Sequence, residues 1–219
     1  MVQGETTDGT VVAEVIAAIA YGERLGAKRA QDAVRLAPDA RSASLQQHIA
    51  DRERQNSDLV AARLGEVHGE SLVDRYQPYF DAFFERTEPN DWIEAQTFHY
   101  VGDALVSDFA DALIPLLDAV SGEILRRALG NREDQEEFAL EELTRAMAAD
   151  AGVADVIRHY SRRIMGEAFT QTSRALEQSE GLKGLLGRDE DGGKQFILTL
   201  LERHRQRLDR LGIEPLEDD

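Results

Sequence analysis

The stretch from Trp92 to Leu117, WIEAQTFHYVGDALVSDFADALIPLL, constrains the chain more than any other. Its spacing predicts one long helix. At about 100° per residue, Trp92, His99, Asp103, Val106, Ala110, Ile114 and Leu117 share one stripe. Glu94, Asp108 and Asp111 fall off that stripe, so the helix is expected to be acidic on its wet side. One carboxylate, Asp103, nevertheless stands on the apolar side. Gly102 beside it lets another backbone approach closely, at a cost of about 1 kcal/mol of helix propensity. A buried carboxylate left unpaired is expensive. Either a cation or a proton has to answer it.

Other segments repeat the arrangement. A helix over about 11–36 has the stripe Val12, Ile16, Ile19, Ala27, Ala30 and Val34, with Glu23 in its middle after Gly22. Ala37-Pro38-Asp39 reads as a turn. A second helix over about 41–65 presents Ile49, Val60 and Leu64, with Glu53 on the same face and Asn56 three residues on. The connection 66–90 is expected to cross the bundle end through a short helix around Pro78. Its Tyr76, Tyr79, Phe80, Phe83 and Phe84 read as packing, with a pocket lining as the alternative. Pro89 is expected to open the central helix.

A fourth helix over about 122–150 presents Leu125, Leu129, Arg132, Glu136, Leu140, Leu143 and Met147 inward, with Glu133 at the edge. A fifth, over about 154–178, is basic at one end (Arg158, Arg162, Arg163) and carries Glu167 at its rim. Residues 181–193 read as a flexible linker. A last helix over about 194–211 is expected to turn Ile197, Leu200, Leu201, His204, Leu208 and Leu211 inward. Residues 1–8 and the acidic 212–219 are expected to be loose. No stretch alternates like a strand, so the class is all-α.

Composition narrows the function. A length of 219 residues suits one domain spanning the chain. A formal net charge of -17 argues against a broad nucleic-acid footprint. No cysteine is present, which excludes disulfides, thiolate metal sites and thiol chemistry. No basic-then-apolar N-terminal segment occurs, and no apolar run approaches the roughly 20 residues of a membrane span. A cytoplasmic protein that does not enter membranes is expected.

Four inward acids now stand on four helices: Glu23, Glu53, Asp103, and Glu133 or Glu136. Glu53 follows Glu23 by thirty residues, and Glu133 follows Asp103 by thirty. Asn56 and Glu136 each stand three further on. Both halves open with a glycine and an acid, Gly22-Glu23 and Gly102-Asp103. A di-iron carboxylate bundle uses one acid on each of two helices and Glu-x-x-His on each of the other two.

The segments AYGE (20–23), ADRERQNSDL (50–59), FERTEPNDWIEA (84–95), YVGDALVSDF (100–109), EEFALEEL (136–143) and RRIMGEAFTQ (162–171) carry a nameable similarity. The chain resembles the ferritin-like superfamily. Within it, the chain is similar to actinobacterial ferritin-like proteins grouped with the tRNA hydroxylase acting on 2-methylthio-isopentenyladenosine. The resemblance spans about residues 15 to 211. It implies a four-helix bundle with a long crossover connection and one or two extra C-terminal helices. It also implies an ancestral di-iron site using oxygen, with ligand positions Glu23, Glu53 and Asp103. The sequence departs from that pattern at Asn56, where a histidine is expected. It departs again at Arg132 and Gln135, where an acid and a histidine are expected. Imidazole is the usual nitrogen ligand of such iron.

Three readings of the acids stay open. Metal, as di-iron, could bind at Glu23, Glu53, Asp103 and Glu136, with His99 as a replacement ligand. Arg132 could instead replace the cation and leave no cofactor, since its fork satisfies two carboxylates at once. Or the acids could face water. His99 also reads as a hydrogen-bonded core residue. The arginine reading fits best and implies a degenerate metal site, metal-free or weakly metal-binding, in an interaction or structural protein. The alternative is an oxygen-dependent di-iron oxidase or hydroxylase of the tRNA-hydroxylase-like type. A second copy of the chain or another protein is the expected partner class.

Overall fold

Among the described residues, every regular element is helical. The computed structural model describes residues 9–130, 132–186 and 190–214. The expected loose start, 1–8, and the end of the acidic tail, 215–219, lie outside the described residues.

The first rod, α1 (Gly9–Ala33), returns through a short 3-10 turn into α2 (Ala40–Glu66). Asp39 starts α2 because its carboxylate accepts the free N–H of Ser42 at 2.8 Å. The helix α3 (Val73–Arg86) fills the crossover, with Pro78 inside it. The central rod comprises α4 (Trp92–Thr97), a π-helical turn (Phe98–Gly102) and α5 (Asp103–Leu113). Pro89 does not open it. Asp91 does, by accepting from Glu94 N at 2.9 Å, a capping bond that Pro89 has no side chain to make.

The expected fourth helix is two helices, α6 (Ala119–Leu129) and α7 (Glu133–Ala149). Gly130 ends α6 at a place where a Cβ would lie 2.5 Å from the Arg126 carbonyl oxygen. Only glycine fits that close return. Arg132 therefore begins α7 rather than standing mid-helix.

The helix α8 (Val153–Leu176) packs on α3 and the central rod. The stretch expected as a linker is mostly helical, in α9 (Glu180–Leu186) and α10 (Glu190–Arg210), with 187–189 outside the described residues. The tail begins docked: Gly212 turns at φ 69°, Ile213 is buried, and Arg158 Nε donates to the Glu214 carbonyl at 2.9 Å.

The larger core joins Tyr100, Val101, Leu143, Ile157, Ile164, Leu200 and Leu208. Each large apolar side chain buried this way contributes about 1.5–3 kcal/mol. Two expectations about faces fail here. Asp108 is buried rather than wet, because α10 lies over it and supplies Arg203 and Arg207. Ile197 and Leu201 of α10 point to solvent, while Leu200, Leu208 and Leu211 are buried.

Candidate functional site

Two inward acids, Glu23 and Glu53, meet Arg132 at the centre of the bundle, and a third, Asp103, acts on it through its charge. Glu23 comes from the middle of α1 and Glu53 from the middle of α2. The break after Gly130 swings Arg132 across to them. Its Nη2 donates to both Glu23 oxygens, at 3.0 and 2.9 Å, and to Glu53 Oε2 at 2.8 Å. Its Nε reaches Glu53 Oε1 at 3.4 Å. Both acids are about 97% buried, each being 3% exposed.

The electrostatics follow from that burial. Loss of water pushes the Glu23 carboxyl above its usual range, and Glu53 and Asp103 push it further. The adjacent guanidinium pulls the other way without winning. For Arg132, burial opposes the charge, but Glu23, Glu53 and Asp103 outweigh it. Its guanidinium is held more firmly protonated than usual.

Asp103 belongs to a neighbouring network. Gln46 Nε2 donates to the Ala30 carbonyl at 3.1 Å, which fixes that atom as the amide nitrogen. The same nitrogen lies 3.1 Å from His99 Nε2, so this ring nitrogen accepts. His99 Nδ1–H is then the donor to Asp103 Oδ2, at 2.8 Å. Gln135 also donates to Asp103 Oδ2 and accepts from Arg52 at 3.2 Å. His99 thus has a protein partner at each ring nitrogen, as a bonded core residue does. The π-helical turn buries Phe98 to Gly102 in unbroken succession and sets this network against the acids.

Not every expected residue arrives. Glu136 points away and pairs with Arg210 of α10. Glu133 is exposed, so the apparent thirty-residue repeat does not extend to the fourth rod. A helix that restarts at residue 133 has lost the phase carried from 122. Asn56 is buried one turn beyond Glu53. Glu167 stays at the rim with Arg86, 3.4 Å away.

Several buried polar residues were not singled out by periodicity. Arg29 donates to the carbonyls of Thr87 and Phe84 and stacks between Phe84 and Phe98, at 4.6 and 4.3 Å from the ring centroids. Glu142 accepts from Trp92 Nε1 at 2.9 Å and from Ser42 at 3.2 Å. Glu14 is held by Arg75 and Ser179. Arg29 stands beside Ala30 on the α1 stripe, and that adjacency was the available sign.

A cavity of about 210 Å³ opens beside the acids. The aromatic residues of α3 line it, so the pocket alternative describes them better than packing alone. Phe98 and Phe109 of the central rod add to the apolar wall, Phe98 packing on Phe83 and Phe84, and Glu23, Asp103 and Arg132 add polar groups to the lining.

The donors at this place do not suit a pair of iron ions. A guanidinium occupies the space between the Glu23 and Glu53 carboxylates. Asn56 and Gln135 stand where the bundle plan calls for imidazoles, and Gln135 is committed to Asp103. Among the described residues, no group of three or more His, Cys, Asp and Glu side chains is arranged to hold a metal.

No curated protein matches the chain. Residues 7–189 match the family described as the ferritin-like domain of actinomycetes, which covers most of the length. With its all-helical bundle and paired inward acids, the chain belongs to that ferritin-like family.

Proposed function

We propose that this protein is a ferritin-like bundle that has exchanged its metal centre for an arginine and works without bound iron, as an interaction or structural protein of the cytoplasm. The observation that carries this reading is the contact of Arg132 Nη2 with Glu23 and Glu53, at 2.8 to 3.0 Å. One guanidinium satisfies the two acids that the bundle plan would give to metal as ligands. The exposed Ile197, Leu198 and Leu201 of α10 give a partner, or a second copy, an apolar face. Among the described residues, no helix is long and apolar enough to cross a membrane.

The alternative is an oxygen-dependent di-iron oxidase or hydroxylase of the tRNA-hydroxylase-like type. The three carboxylates and the adjoining cavity support it. Asn56, Gln135 and Arg132 oppose it, and a net charge of -17 opposes a tRNA substrate.

Metal analysis separates the two. Protein purified from iron- or manganese-supplemented cultures is expected to carry far less than one metal ion per chain. Cobalt(II) titration is expected to give no saturating visible absorbance. Stoichiometric iron, or saturable cobalt binding lost in Glu53→Gln, would restore the oxidase.

A further inference from the structure

We propose that the cavity beside Arg132 is a binding site for a single-chain apolar molecule ending in a hydroxyl group. The walls define the tail. Val15 and Ile19 of α1, Phe80 and Phe83 of α3, and Phe98 and Phe109 of the central rod present carbon to the cavity. Its volume, about 210 Å³, is below the ~300–1,000 Å³ of pockets for drug-sized ligands, so the occupant is small. Val106 lines the cavity and is 37% exposed, which marks where it meets solvent.

The polar lining defines the head. Arg132 directs Nε and Nη2 to Glu53 and Glu23, but its buried Nη1 has no hydrogen-bond partner. A buried donor left this way is unfavourable, so a small shift of the guanidinium that brings Nη1 to an acceptor supplied by a ligand is favoured. Asp103, 14% exposed, lines the same cavity as an acceptor. A hydroxyl oxygen accepts from Arg132 while its proton goes to Asp103. A carboxylate or phosphate head would face three carboxylates with only one guanidinium to offset them. An ammonium head would leave Nη1 unanswered and meet the guanidinium at close range.

Gly26 supplies the means of testing. It lines the cavity, and a Cβ added there meets nothing within 4 Å. A larger residue at this position fills the cavity from a helix that gains propensity by losing a glycine.

The head assignment rests on the arginine reading above, whereas the tail assignment rests on the walls alone. The test uses the full chain after treatment with a chelator, titrated calorimetrically with octan-1-ol, octanoate and octylammonium. Octan-1-ol is expected to bind saturably, one molecule per chain, and at least about tenfold more tightly than either charged analogue. Gly26→Leu is expected to stay folded by circular dichroism and to weaken octan-1-ol at least about tenfold. Ala175→Leu, which fills the cavity from α8, is expected to do the same and serves if the first variant fails to fold. No saturable binding of octan-1-ol, unchanged binding by a folded filled variant, or a preference for octanoate or octylammonium overturns the proposal. Cobalt(II) titration of the same sample reports separately on the arginine: alcohol binding with cobalt binding refutes only the metal-free reading, and absence of both refutes only this inference.

Discussion

Arg132 Nη2 lies 3.0 and 2.9 Å from the two carboxylate oxygens of Glu23, across 109 residues of sequence. A glycine break between two helices brings them together. The contact decides what the centre of the bundle can hold, and the first prediction follows from it.

Arg132→Leu strands two buried acids and is expected to lower unfolding free energy by about 3–5 kcal/mol. Adding Glu23→Gln and Glu53→Gln in the same chain should recover much of that loss, because no charge is then left unanswered. Urea unfolding followed by the fluorescence of Trp92, the single tryptophan, measures both steps. A loss under about 1 kcal/mol in the single variant would show that the guanidinium does not neutralise the acids.

His204 gives a pH dependence of definite sign. Burial first, and then the Arg207 charge, lower its pKa from 6.5 to about 4. The unfolded chain therefore binds a proton that the folded chain refuses between those values. The stability this group contributes is fully present above about pH 6.5 and is lost as pH falls toward 4, by about 3 kcal/mol in total. Glu23, whose pKa is raised, acts in the opposite sense as its carboxyl protonates. His204→Leu should flatten the decline in denaturant midpoint between pH 6.5 and 4. An unchanged slope in that variant would assign the acid sensitivity elsewhere.

Asp108 holds α10 in place. It accepts from Arg203 at 2.7 Å and from Arg207 at 2.8 and 3.1 Å. Asp108→Ala leaves the Arg207 guanidinium, largely covered, without this partner and should cost about 1.5–3 kcal/mol. Hydrogen exchange should speed up in α10 well before it does in α1 and α2. Uniform acceleration through all helices would mean that α10 is not an independently opening unit.

Trp92 is more than an apolar anchor. Its Nε1–H donates to the buried Glu142 carboxylate at 2.9 Å. Trp92→Phe keeps most of the ring packing against Phe138 but removes the donor, and should destabilise by about 1–3 kcal/mol. Circular dichroism must follow this variant, which has no tryptophan. Pairing it with Glu142→Gln should give less than additive loss if the hydrogen bond carries the effect.

The sequence by itself determined the helical class and the inward placement of three acids. Helical period is a local property, and apolar residues at three- and four-residue steps around Glu23, Glu53 and Asp103 leave those side chains no other face. The bundle, the crossover helix and the last helix were legible for the same reason, whereas the stretch 181–193, read as a linker, is mostly helical. Tertiary structure alone decided the rest. A period survives only while the helix is unbroken, so the close return at Gly130 removed Glu136 from the centre, while Arg132, which its period had already turned inward, arrives from the start of α7 rather than from mid-helix. Asp108 read as wet because nothing in its own helix announces that α10 will cover it with two arginines. The aromatic residues of α3 became the wall of a cavity only once three other helices stood around them, since empty space is a relation between elements and leaves no mark on any one of them.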